Sequence, residues 1–135
     1  MKKTFALLAA ALLAVAATGG VAGSAPGDEH HVKATLEPAP GSSVSGFVQL
    51  EQLPHGGTNI TVVAKGLQPG TVYASFYYES SDCTEPADLL GTFTANSSGE
   101  GQVNGKIDDD LDEVGSVSVR LGPGYGTLLA CAAVH

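Results

Sequence analysis

The chain has no tryptophan, two cysteines and only six basic residues against 14 acidic ones. Each scarcity excludes something. Two of the basic residues, Lys2 and Lys3, stand at the extreme N-terminus, leaving Lys33, Lys65, Lys106 and Arg120 for the rest of the protein. A domain this acidic repels phosphate backbones, so nucleic acid is not an expected partner. No cysteine lies near the N-terminal small-residue stretch, which argues against a lipid-anchored form. No nucleophile elbow, no HExxH and no phosphate-binding glycine loop occurs, so the common hydrolase, metalloprotease and nucleotide-binding readings have no residues to stand on. Beyond the first twenty residues no stretch keeps a helical apolar period, and no internal repeat is visible.

The start is organised like an export signal: Lys2 and Lys3, an uncharged apolar run from Phe5 to Ala17, then Ala, Gly and Ser. That run is too short to cross a bilayer comfortably. The expected organisation is a secretory signal over 1–25, a flexible lead-in over 26–33 and a single domain over 34–135. No membrane span is expected after signal removal, and the location is secreted or periplasmic, at the exterior of the cell envelope. An export signal with an even cysteine count implies an oxidising compartment and one disulfide, Cys83 to Cys131.

Short alternating runs then follow one another with Gly and Pro between them. Strands are predicted over 32–36, 44–50, 59–65, 71–79, 89–95, 102–107, 117–121 and 127–134. The pattern is that of an all-β sandwich or barrel. Gly46, inside the second run, signals a bulge or a close backbone approach. In the aromatic strand, alternation sends Tyr73 and Tyr77 to one face and Phe76 and Tyr78 to the other.

Five segments in order resemble the copper/zinc superoxide dismutase family: VSGFVQLEQ, the turn GLQPG, the stretch closing on Cys83, LGTFTANSSGEG, and GTLLACAAV with Cys131. The resemblance implies an eight-stranded Greek-key barrel of the immunoglobulin-like, superoxide dismutase-like kind, and it implies the same Cys83–Cys131 pairing. It does not carry the family's chemistry across. The family's paired copper histidines fall on Phe76 and Tyr78, a third falls on Arg120, and the arginine that steers superoxide falls on Leu128. Only Thr84 to Leu89 stand where the family runs its long zinc-binding loop, with Asp88 one position out of place. The channel loop is cut to Gly122-Pro123. The resemblance thus implies the fold without its reaction centre.

The expectation is a secreted pseudo-enzyme with no cofactor and no catalytic residues, acting as a binding or structural domain toward a protein or small-molecule ligand. The alternative is a working dismutase or copper-handling protein with other ligands. Phe76, Tyr78 and Arg120 would converge on the outside of the barrel as a binding patch. His30 and His31 are weak metal candidates, and a chain beginning at Asp28 would place His30 third, a square-planar set suited to copper(II). The run Asp108–Glu113 lacks the glycine and closing glutamate of a calcium loop and reads as a solvated connection. His55 reads as a turn residue and His135 as the terminus. Asn59 and Asn96 open glycosylation sequons.

Overall fold

The computed structural model describes residues 30–135. The expected export signal, the suggested chain start at Asp28 and most of the expected lead-in lie outside those residues. Eight antiparallel strands form: β1 (His31–Pro38), β2 (Ser45–Gln52), β3 (Thr58–Lys65), β4 (Val72–Tyr78), β5 (Ala87–Thr94), β6 (Gly101–Ile107), β7 (Ser116–Leu121) and β8 (Leu128–Ala133). All eight predicted strands are present, with ends shifted by one or two residues. β1 starts at His31, one residue before the predicted strand, and so overlaps the end of the lead-in expected over 26–33. Among the described residues there is no α-helix, only a 3-10 turn at Leu111–Glu113. None is long and apolar enough to cross a membrane.

Alternation dictates the packing. In β3 the burial follows period two, with Ile60, Val62 and Ala64 inward and Asn59, Thr61 and Val63 outward. The inward residues of the other strands meet them: Leu36, Val48, Leu50, Tyr73, Val117, Val119, Ala130 and Ala132 share one interior core. The predicted split of the aromatic strand holds too. Tyr73 and Tyr77 belong to the interior, whereas Phe76 and Tyr78 form a second cluster with Ala74 and Cys83.

The hydrogen-bonded strand order is β5-β4-β7-β8-β1-β2-β3-β6. With β6 returning against β5, strand β7 lies beside β4, which is the Greek-key arrangement. The barrel is nearly closed, but its two junctions differ from ordinary ladders. The β1–β8 ladder has only two residue pairs, Glu37 with Cys131 and Pro38 with Ala130. Between β5 and β6 there is side-chain packing in place of a ladder among the described residues.

Glycines make that second junction possible. A Cβ at Gly101 would lie 2.6 Å from the Phe93 ring, one at Gly105 2.7 Å from Leu90, and one at Gly91 2.8 Å from Val103. Large side chains on each strand therefore sit over glycines on the other, and the two backbones approach without hydrogen bonds. Gly46 is a close approach rather than a bulge. It stays in register between Leu36 and Ala64, and a Cβ there would meet the Val63 carbonyl oxygen at 2.0 Å.

The acidic run is not merely solvated. The Asp110 carboxylate accepts hydrogen bonds from the Gly57 amide (2.8 Å) and the Gln52 side chain (3.0 Å). Gln52 in turn accepts from the Leu111 amide, and the Thr58 hydroxyl donates to the Asp109 carbonyl. The Asp110 amide donates to Glu113 in a capping box. The β6–β7 crossing is thereby fastened to the β2–β3 turn, with Leu111 buried beneath it.

The two neighbouring carboxylates titrate in opposite directions. The Gly57 amide holds Asp110 below its ordinary value, while desolvation and then Glu113 raise Asp109. A depressed carboxyl contributes stability that is present above its unfolded value and lost as pH falls through the folded value; a raised one is the reverse. Asp110→Asn is therefore expected to lower stability at neutral pH and weaken its dependence on acid. Asp109→Asn, whose backbone carbonyl is untouched, is expected to raise it. Urea unfolding between pH 3 and 7 checks both signs.

The seam makes a separate prediction. Gly101→Ala forces Phe93 aside and is expected to cost about 1–3 kcal/mol, the range for overpacking. Gly124→Ala meets no neighbour and serves as the control in the same denaturant series.

Candidate functional site: the outer aromatic cluster

The cluster begins with strand parity. Ala74, Phe76 and Tyr78 point away from the barrel interior, and Arg120 and Ser118 on β7 point the same way beside them. The structure thus brings together all three residues of the predicted patch. It also supplies two cover loops, 79–86 and 122–127, which fold down over that face.

Arg120 is the hub. Its Nε donates to the Tyr78 hydroxyl at 3.0 Å, Nη1 to the Gly126 carbonyl at 2.9 Å and Nη2 to the Cys83 carbonyl at a longer 3.4 Å. All three acceptors are neutral. The guanidinium lies 3.8 Å from the centroid of Tyr125, a cation–π contact worth about 1 kcal/mol. Tyr125 also meets Phe76 edge-on, ring centroids 4.9 Å apart. The Tyr78 hydroxyl shares a 2.7 Å hydrogen bond with Ser118.

Burial separates floor from cover. Tyr78 is 1 % exposed and Phe76 8 %, whereas Tyr125 is 40 % exposed and Leu89, paired across from Phe76, is 54 %. Phe76 and Tyr78 are therefore floor, and the side chains that face solvent here are Tyr125, Leu89 and part of Arg120. Tyr125 was missed by sequence reasoning. It sits in a Pro-Gly-Tyr-Gly turn, where alternation gives no information, and only the β7–β8 loop fold brings it over Arg120.

Cys83 and Cys131 are joined, with Cα atoms 6.1 Å apart across 48 residues of chain. Cys83 adopts φ 60°, unusual for a residue with a Cβ. Its partners hold it there: the amide donates to the Ser116 hydroxyl at 2.9 Å, the carbonyl accepts from Arg120, and the sulfur is bonded to β8.

The donor set does not suit copper or zinc. Phe76 has no lone pair to offer, Arg120 is a permanent cation, and the Tyr78 hydroxyl is engaged by Ser118 and Arg120. Among the described residues no group of three or more His, Cys, Asp or Glu side chains is placed to hold a metal ion. Leu128, which pairs with Arg120, packs against the cluster, and Asp88 lies on β5 opposite Tyr77. The two weak histidine candidates are elsewhere, His30 and His31 being exposed at the start of β1. The ring of His135 shares a hydrogen bond with the Leu111 carbonyl.

No protein-family model matches the chain, and no curated protein matches it.

The Tyr125 phenol is pushed up to about 12, first by partial desolvation, then by the neighbouring Tyr78 hydroxyl, against a downward pull from Arg120. A near-UV absorbance titration is expected to find one tyrosine ionising near pH 12. Tyr78→Phe is expected to bring it down and Arg120→Met to push it further up. No movement in either variant would mean that the three side chains are not in contact in solution.

Reduction of the disulfide removes the tie between loop 79–86 and β8, with an expected cost of about 2–5 kcal/mol. Urea midpoints with and without reductant measure it.

Proposed function

We propose that the chain is an exported superoxide dismutase-like barrel that has lost metal and catalysis and works as a binding or structural domain outside the cell or in its envelope. The observation that carries this reading is the use to which the copper-ligand positions are put. Where the resemblance places imidazoles, the protein has a phenyl ring, a hydrogen-bonded phenol and a guanidinium, and these are consumed in holding down two short loops. A redox centre needs open coordination and several nitrogen or sulfur donors at fixed distances. The side chains here offer neither. The eight-stranded barrel and the Cys83–Cys131 bond supply the other half of the argument, being what the resemblance implies once the chemistry is set aside.

Such a domain works through its surface. On the side of the outer cluster that surface is the rim of Tyr125, Leu89 and Arg120, because Phe76 and Tyr78 present almost none. Elemental analysis of the purified mature protein, with a superoxide disproportionation assay, tests the reading. The expected result is less than stoichiometric copper and zinc and no activity above free metal. One equivalent of copper, with activity removed by a chelator, would establish the working-enzyme alternative instead.

A further inference from the structure

The barrel's opposite side is built differently. The side chains pointing outward from β1, β2, β3 and β6 form cross-strand rows set by the ladder register. One row is Lys33, Gln49, Thr61 and Asn104; the next toward the strand ends is His31, Glu51, Asn59 and Lys106. These are carboxamides, a hydroxyl and charges of both signs. Two hollows open on this face. One is lined by Lys33, Gln49, Glu51, Asn59 and Thr61, the other by Thr35, Phe47, Val63, Lys65 and Glu100. Their centres are about four residues apart along β2, roughly 13 Å at the rise of a strand.

Two groups between and within the hollows are already fixed. The Lys33 ammonium lies 4.5 Å from the centroid of the Phe47 ring, which holds the charge at the junction of the two hollows. The Asn104 amide donates to the Thr61 hydroxyl at 2.6 Å, which sets the orientation of both side chains. Preorganised donors and acceptors lose less freedom when a ligand binds.

The distribution of charge narrows the ligand. All three lysines of the described residues are on this face, offset locally by Glu37, Glu51 and Glu100. Glu79, Asp82, Glu85 and Asp88 lie in β5 or the loop before it, and the run from Asp108 to Glu113 lies past the end of β6, held at the β2–β3 turn. At physiological salt, charges more than about 8 Å apart are largely screened, so a ligand on the trough meets a locally balanced surface on a strongly acidic protein. A polyanion gains little there, and so does a polycation. A ligand rich in hydroxyls and without charge matches the carboxamide, hydroxyl and ammonium groups, and the span of two hollows asks for a chain rather than a single ring.

We infer that the outer face of β1, β2, β3 and β6 is a binding trough for an uncharged glycan chain lying along the strands. This goes beyond the loss of metal chemistry and is read out separately from it, since glycan binding needs neither metal nor dismutase activity to be measured.

The test is native affinity electrophoresis of the mature protein through gels containing laminarin, galactomannan or dextran, with polygalacturonate as the charged comparison. Retardation by at least one of the three neutral polysaccharides is expected. The double variant Lys33→Ala with Gln49→Ala, both exposed, is expected to weaken it by about tenfold, with unchanged near-UV spectrum and urea midpoint. Tyr125→Ala, on the other side of the barrel, is expected to leave it unchanged. The proposal fails if no neutral polysaccharide retards the protein or if only polygalacturonate does. It fails equally if retardation survives the double variant or is abolished by Tyr125→Ala.

Discussion

The outer layer of this protein hangs on the backbone of Cys83. One residue makes three ties to two strands: its sulfur bonds to β8, its amide donates to the Ser116 hydroxyl on β7, and its carbonyl accepts from Arg120 on the same strand. The left-handed backbone at that point is affordable only because these contacts over-determine it. With Cys83 in place, loop 79–86 is pinned across β7, where the Ser116 hydroxyl also donates to the Ser80 carbonyl. Arg120 then has a ceiling to bond to, Tyr78 has a proton donor, and Tyr125 has a cation to lie on. A small second core results, outside the barrel, in a protein whose main core is interior.

The arrangement also explains how a half-buried guanidinium is tolerated without an acidic partner bonded to it. Burying an unpaired charge is costly unless its donors are satisfied. Here two carbonyls and a phenol oxygen take three of the N–H groups, and the face of Tyr125 supplies negative potential where a carboxylate would otherwise be wanted. The neutral partners keep the site from attracting the protons or metals that a carboxylate would.

Much of the fold was legible because it depends on local rules. Ile60, Val62 and Ala64 declare their face by alternation alone, and Pro54 to Gly57 and Gly66 to Gly70 mark the turns by residue type. The division of Tyr73 and Tyr77 from Phe76 and Tyr78 follows from the same period. What escaped the sequence depends on partners distant in the chain. Asp110 looks like one carboxylate among several until Gly57 and Gln52, more than fifty residues earlier, arrive to donate to it. Gly101 and Gly105 read as ordinary strand glycines until Phe93 and Leu90 are seen lying over them. Tyr125 has no period to betray it. Local pattern sets the strands, and the loops acquire meaning only when the barrel closes.

The unequal closure of the barrel has a mechanical consequence. Strands β1, β2, β3 and β6 form one hydrogen-bonded panel and β5, β4, β7 and β8 another, with a two-pair ladder between β1 and β8 on one side and only interlocked side chains between β5 and β6 on the other. Such an object is a clamshell: the short ladder is its hinge and the glycine seam its lip. The lip has no ladder and is closed by backbone hydrogen bonding only at its connecting turn, from the Asn96 amide to the Glu100 carbonyl at 2.8 Å, whereas every other strand boundary must give up a ladder. A parting along β5 and β6 would therefore cost side-chain packing rather than a ladder, and it would bare the apolar edges of Phe93, Leu90 and Val103. The disulfide is anchored entirely within one panel, since Cys83 follows β4 and Cys131 lies in β8, so it stiffens that shell without locking the lip.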